Sequence, residues 1–175
     1  MSESYESADT AEIEDELREI RGALVNGTVI TLGPAEPICL PATATVHEAV
    51  ERMLAGRQAG VLIVDGEGRL TGIFTERDVL TRVVGKDRDS RRTRLAEVMT
   101  ASPEALTSRD RVAFAIHCMS VAGYRTVPLV DDERRPVGIA TATDVIRWLA
   151  SLFPEAILNL APGDAMKRPG EVDSG

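Results

Sequence analysis

From residue 37 onward, short apolar runs alternate with stretches in which apolar residues recur every three or four positions. That order predicts strand, helix, strand, strand, helix. Ile38 to Leu40, behind Pro37, reads as a short strand. Thr45 caps a helix, and Glu48 three residues later completes a capping box. Val46, Ala49, Val50, Met53 and Leu54 are expected to line the buried face of that helix. Gly60 to Val64 is an unbroken apolar run, the signature of a strand covered on both faces. Asp65-Gly-Glu-Gly68 is a hairpin turn, and Leu70 to Phe74 is the returning strand. Glu76 to Val84 forms a closing helix, ended by Gly85.

The same pattern then recurs. Residues 37–79 match residues 103–145 at a constant offset of 66, with no gap. Pro37 falls on Pro103, Leu40 on Leu106, Val46 on Val112 and Met53 on Met119. Val64-Asp65 falls on Val130-Asp131, Gly72-Ile73 on Gly138-Ile139, Thr75 on Thr141 and Asp78-Val79 on Asp144-Val145. An internal repeat decides the fold reading before any local signal does. In the second copy a helix carries Val112, Ala115, Ile116 and Met119. Thr126 to Val130 and Val137 to Ala140 are strands joined by a turn at Asp131 to Arg135, and Ala142 to Leu152 is the last helix. Pro128 inside its strand points to an edge, or to a position that needs no ladder bond.

One copy of about 60 residues is near the lower limit for folding alone, so the two copies are expected to bury surface against each other. The fold class is α/β (α+β): two β-α-β-β-α repeats packed as a pseudo-twofold pair. Upstream, Ile13, Leu17, Ile20 and Leu24 recur at helical spacing and predict an extra N-terminal helix, from Asp9 or Thr10 to Asn26-Gly27. The chain divides into an acidic tail and helix (1–27), a first repeat (28–85), a charged linker (86–94), a second repeat (95–153) and a tail (154–175).

Composition narrows the function. Hydrophobic residues make up 43% of the chain but aromatics only 3%, so the core is built from Val, Leu, Ile, Ala and Met. The net charge of −8 sits at the ends: residues 1–21 carry eight acids against Arg18 and Arg21, while residues 22–153 hold sixteen acids and sixteen bases. That balance makes nucleic acid an unlikely partner. No apolar run approaches the ~20 residues of a membrane span, and the acidic start is wrong for a signal peptide. Cys39 and Cys118 are read as free buried thiols in a reducing cytoplasm. His47 and His117 have no metal-ligand spacing, so no metal site is expected. With no base–nucleophile pair and no catalytic signature, the chain reads as a non-enzyme. Trp148 is placed in the core or at a subunit contact.

The candidate chemistry is a doubled motif, Gly72-Ile-Phe-Thr-Glu-Arg-Asp78 and Gly138-Ile-Ala-Thr-Ala-Thr-Asp144, each at a strand-to-helix junction. Thr-x-x-Asp is close to a capping box, and the glycines could simply let backbones pack closely. The same geometry also suits a ligand. A helix N-terminus offers free N–H groups to a phosphate, a carboxylate one turn on can accept ribose hydroxyls, and a glycine leaves room for a flat base.

Together with Tyr124-Arg-Thr-Val-Pro-Leu-Val-Asp131 and Leu95-Ala-Glu-Val-Met-Thr-Ala-Ser-Pro103, these motifs resemble a tandem pair of cystathionine β-synthase (CBS) domains, a Bateman module, over roughly residues 28–153. The resemblance implies a stand-alone regulatory module that binds AMP, ADP, ATP or S-adenosylmethionine in clefts between the repeats, requires no cofactor, forms a homodimer and signals to a client protein. A structural dimerisation module with vestigial clefts is the alternative. Carried over by position, the ligand residues are Gly72, Thr75, Arg77 and Asp78, with Gly138, Thr141 and Asp144. Arg125, Thr126 and Val127 lie on the flanking strand, with Arg125 near phosphate. The base would lie near Ile38 to Leu40 and Ala105 to Thr107. Arg77 and Glu76 against Thr143 and Ala142, and Leu62 against Pro128, predict two unequal clefts.

Overall fold

The computed structural model describes Arg18 and residues 20–152. The start of the expected N-terminal helix and both tails lie outside these residues. Residues 20–26 are helical (α1) and end at Gly27, where the break was expected. After a 3-10 turn at Val29–Leu32 come β1 (Cys39–Pro41), α2 (Val46–Gly56), β2 (Gly60–Val64) and β3 (Leu70–Thr75). The short helix α3 (Glu76–Asp78) follows. Next are α4 (Leu95–Val98), β4 (Thr100–Ala101), α5 (Val112–Val121), β5 (Thr126–Val130), β6 (Pro136–Thr141) and α6 (Ala142–Leu152). The mixed α/β pair of repeats is the predicted architecture.

Local chemistry accounts for these elements. Glu48 Oε2 accepts from the Thr45 N–H at 2.6 Å, and the Glu48 N–H donates to Thr45 Oγ1 at 3.2 Å, the predicted box at the start of α2. In the hairpins, Asp65 Oδ1 accepts from the N–H groups of Glu67 and Arg69, and Asp131 Oδ1 from those of Glu133 and Arg135. These repeated aspartates are therefore turn formers.

The closing helix of the first repeat departs from expectation. Instead of one α-helix ended at Gly85, α3 widens into a π-helical turn at Val79–Val83 and tightens to 3-10 at Val84–Lys86. Asp87, in the left-handed region at φ 53°, makes the stop. Within the wide turn the Thr81 hydroxyl donates to the Arg77 carbonyl at 2.7 Å, a back-bond of the kind that bends helices. The first strand also sits one residue later than predicted, at Cys39–Pro41. Cys39 is exposed and Cys118 half-buried, which corrects the expectation of two buried thiols.

The segment leading into each repeat docks on the other one. The 3-10 turn that opens repeat one buries Val29 and Leu32 among Val112, Ala115, Leu129 and Ala140. Its counterpart α4, 66 residues later, buries Leu95 and Val98 among Val46, Ala49, Met53, Val61 and Phe74. Thr28 bridges Arg111, and Arg94 bridges Thr45. The charged linker is therefore anchored at its end: Thr93 is buried, and the carbonyls of Ser90 and Thr93 accept from the N–H groups of His47 and Val46. Between the sheets lies a third apolar layer of Leu62, Leu70, Ile73, Val130 and Ile139.

Two prolines make the copies unequal. In repeat one β1 runs parallel to β2, and the Leu62 N–H donates to the Ile38 carbonyl at 2.8 Å. The counterpart donor in repeat two is Pro128, which has no N–H. There the parallel pairing shrinks to a single bridge, Leu106 to Leu129. Pro128 thus donates no ladder bond on that side, although its carbonyl accepts from the Leu106 N–H at 3.0 Å. The lead-in strands differ in the same way. β4 places Thr100 opposite Ile73, whereas Pro34, the counterpart of Thr100, cannot donate. Ala35 instead exchanges both bonds with Ile139, at 3.2 and 3.0 Å.

Leu95 is fully buried in the core of repeat one although it follows the linker. Leu95→Ala is expected to cost about 2–5 kcal/mol of unfolding free energy in urea titration. Amide exchange should rise first at Val61 and Phe74. A rise confined to Leu129 and Ala140 would contradict the exchanged cores.

Candidate functional site

Each Thr-x-x-Asp stands where a strand of the inter-repeat seam turns into a helix. In repeat one, Thr75 ends β3 opposite Gly60, and the Glu76 N–H donates to the Ala59 carbonyl at 3.0 Å. In repeat two, Thr141 ends β6 opposite Thr126, and the Ala142 N–H donates to the Arg125 carbonyl at 3.0 Å. The sequence-predicted residues of the second site, Arg125, Thr126, Val127, Thr141 and Asp144, therefore meet at one end of the β5–β6 ribbon. Thr126 and Val127 are buried and Arg125 is exposed.

The capping geometry is present in both motifs. Asp78 Oδ2 accepts from the Thr75 N–H at 2.9 Å and from its hydroxyl at 2.8 Å. Asp144 Oδ2 accepts from the Thr141 N–H at 2.8 Å and from its hydroxyl at 2.6 Å. The Asp144 N–H returns a bond to Thr141 Oγ1 at 3.2 Å.

The other carboxylate oxygens separate the sites. Asp144 Oδ1 meets Arg147 Nη1 at 3.0 Å, and the Arg147 side chain is 71% exposed. Asp78 Oδ1 meets Arg82 Nε at 3.2 Å, with the Arg82 side chain 44% exposed; the two aspartates are alike, at 10% and 13%. Arg82 Nη1 in turn donates to the carbonyls of Val98, at 2.9 Å, and Met99, at 2.7 Å. The counterpart of Arg82 in repeat two is Trp148, which packs on the core that holds Val29 and Val112. Arg77 is exposed beside Asp78.

The motif glycines serve close packing. A Cβ on Gly72 would stand 2.5 Å from Met99 Sδ and 3.3 Å from the Thr100 carbonyl oxygen. A Cβ on Gly138 would stand 3.3 Å from Pro34 Cβ and from Leu129 Cδ1. Pro34 and Thr100 are counterparts, so each glycine makes room for the lead-in segment that crosses from the other repeat.

A cleft of about 830 Å³ opens between the start of β3 and α5, lined among others by Leu70, Glu104, Leu106, Phe114 and Cys118. None of Thr75, Asp78, Thr141 and Asp144 lines it. Repeat one closes the matching groove: a Cβ on Gly56 would lie 2.6 Å from Ile38 Cδ1, so that glycine lets Ile38 rest on α2. The counterpart of Ile38 is Glu104, and the groove stays open. Burial pushes the Cys118 thiol above its ordinary range, and the Glu104 carboxylate adds to the shift. Neither Glu104 nor Arg82 was singled out from the sequence. The signal available was their mismatch with Ile38 and Trp148 at the repeat offset.

Among the described residues no cluster of metal-ligating side chains occurs, and no helix is long and apolar enough to cross a membrane.

Comparison with known proteins fits this architecture. A model of the CBS domain matches residues 34–85 and 95–151. The chain therefore belongs to the CBS domain family and carries a tandem pair of these domains. It is 34% identical over 119 residues to the meiotically up-regulated gene 70 protein of Schizosaccharomyces pombe. That match covers 68% of this chain but only 16% of the relative. Among solved structures, it resembles the CBS domain pair of protein MJ0100 in complex with 5'-methylthioadenosine and S-adenosyl-L-methionine, at 26% identity and a TM-score of 0.64. The likeness spans 71% of this chain and 97% of that one. It also shares its fold with the CBS domain protein PAE2072 from Pyrobaculum aerophilum complexed with AMP, at 23% identity and a TM-score of 0.63. Those values cover 71% and 98% of the two chains.

The raised Cys118 thiol gives a pH test. Alkylation by iodoacetamide at pH 7.5 should be slower than for free cysteine, because the thiolate is the nucleophile. The rate should go on climbing past about pH 8.5, the ordinary thiol value, where that of an unperturbed thiol levels off. Glu104→Gln removes one of the two causes and should shift the profile to lower pH, read by mass spectrometry on the Cys118 peptide.

Proposed function

We propose that this protein is a regulatory module that binds an adenosine-type ligand in the clefts between its repeats. The carrying observation is the Thr141–Asp144 pair. It is held ready at the seam between repeats, and its outer oxygen is matched only by the exposed Arg147 among its described partners. The CBS pair of MJ0100 is in complex with 5'-methylthioadenosine and S-adenosyl-L-methionine at 26% identity, which supports this ligand class. Asp144 would take the ribose hydroxyls, Thr141 and the free end of α6 would face phosphate or its replacement, and Arg125, Thr126 and Val127 would flank the base. Gly138 keeps the lead-in strand close enough to form one wall. In the first cleft Gly72, Thr75, Arg77 and Asp78 have the corresponding roles, with Arg77 as the phosphate partner. Candidate ligands are AMP, ADP, ATP and S-adenosylmethionine, and the bound state would be passed to a client protein through a change in packing between the repeats. The proposed setting is the cytoplasm.

The first cleft supports a second reading, a structural pairing module, because Asp78 is already committed to Thr75 and Arg82. Pairing with a second copy is part of either reading. Leu54, Leu80 and Val84 are 74%, 65% and 66% exposed beside a shallow groove of about 620 Å³ lined by Val50, Met53 and Val79. This apolar surface fits a symmetric contact with its own copy.

Thermal denaturation with each of the four ligands tests the sensing role. A ligand at a hundred times its Kd should add about 2.7 kcal/mol of stability. Asp144→Ala should remove most of that gain and Asp78→Ala less. No gain with any of the four at millimolar concentration leaves the pairing module as the reading. For the dimer, Leu54→Asp with Leu80→Asp should halve the mass seen by light scattering. An unchanged mass would move the contact elsewhere.

A further inference from the structure

We infer that Arg82 is a positioning residue that ties the first cleft to the seam between the repeats, and that among the described residues only the first cleft has such a tie. The inference deepens the adenosine-ligand reading and rests on it for its functional half. One guanidinium makes three contacts: Nε to Asp78 Oδ1 at 3.2 Å, and Nη1 to the carbonyls of Val98 and Met99 at 2.9 and 2.7 Å. Asp78 is the carboxylate of the first motif. Val98 and Met99 close α4, the lead-in helix that completes the core of repeat one. Directly after them, β4 joins β3 at Ile73 and Gly72.

The chemistry suits a coupling role. The carbonyls at a helix C-terminus carry partial negative charge and favour a cation. A planar guanidinium can serve them and a carboxylate at once, which an ammonium on a flexible stem cannot match. Because Asp78 Oδ2 is held by Thr75, any shift of the carboxylate toward a ligand must pull on Oδ1, and through Arg82 on the seam. In repeat two the path is cut. Trp148 replaces Arg82, and Arg147, the partner of Asp144, has its side chain 71% exposed. The lead-in there is held by backbone bonds, Ala35 with Ile139 and the Val29 and Ile30 N–H groups to the carbonyls of Asp110 and Ser108. The two clefts thus divide the work: the second binds, and the first binds and reports.

Hydrogen exchange on the full chain provides the test, with Arg82→Met, Arg82→Lys, Asp78→Asn and Asp144→Asn. In Arg82→Met the amides of residues 99–102 should exchange about tenfold faster, the loss expected for a hydrogen bond to a charged group. Arg82→Lys should recover part of it. Asp78→Asn should loosen the same amides, and the double variant should be no worse than the more affected single one, because both remove one connection. Asp144→Asn should leave the counterpart segment, residues 33–36, unchanged. Unaltered exchange at 99–102 in Arg82→Met, full additivity with Asp78→Asn, or equal loosening at 33–36 in Asp144→Asn would each overturn the tie.

The functional half uses AMP and S-adenosylmethionine in the Asp144→Asn background, where the second cleft is disabled. Adding Arg82→Met should weaken binding of whichever of them binds by about tenfold. Equal affinity with and without Arg82→Met would overturn it. If neither ligand binds the unaltered protein, the ligand reading fails, while the exchange data still decide whether Arg82 holds the seam.

Discussion

Everything in this fold depends on a reciprocal loan of short segments. Each repeat is too small to close its own core, and each is completed by the residues that lead into the other one. Leu95 and Val98 fill the space above Val61 and Phe74, while Val29 and Leu32 fill the matching space above Leu129 and Ala140. Burial of these side chains is a non-directional driving force of about 25 cal/mol per Å² of apolar surface. What gives it direction is the backbone pairing beside it, β4 on β3 and Ala35 on Ile139. Gly72 and Gly138 exist within this constraint: a Cβ at Gly72 would strike Met99, and one at Gly138 would press on Pro34.

The repeat offset made most of the fold legible. It fixed the order of elements, both hairpin turns and most of the core faces of α2 and α5, whereas Leu54, expected on the buried face of α2, is 74% exposed. The capping box at Thr45 came from local pattern alone. What it could not show is where the copies stop being copies. Two prolines without donors shift the register at Ala35 and shorten the parallel ladder at Leu106. These are backbone events, and residue type predicts them only when the partner strand is known. The π-helical turn at Val79–Val83 escaped for a similar reason: an apolar period of three to four residues reads as α-helix whatever the local winding.

The candidate site was legible as a motif but ambiguous as chemistry. A threonine and an aspartate one turn apart cap a helix in the same geometry that would receive a ribose, and the structure shows the cap in both copies. What separates the two sites lies at long range. Arg82 meets carbonyls sixteen and seventeen residues away, beyond the reach of local pattern, and only its mismatch with Trp148 pointed toward it. The open groove at Glu104 has the same origin, one charged residue standing where the other copy has Ile38. In a duplicated chain, shared positions describe the scaffold and unshared ones describe how the two halves came to differ.

The lent segments also give the connector between repeats an unusual part. Residues 86–94 join two bodies, each of which holds a piece of the other's sequence. Were this stretch to open out, α4 of one molecule could seat in the first repeat of a neighbour without any new surface being made. Domain swapping of this kind needs only a hinge that lengthens, and it grows chains as easily as closed pairs. The left-handed Asp87 and the anchored Thr93 fold the connector back on itself, so lengthening it would first break these local bonds.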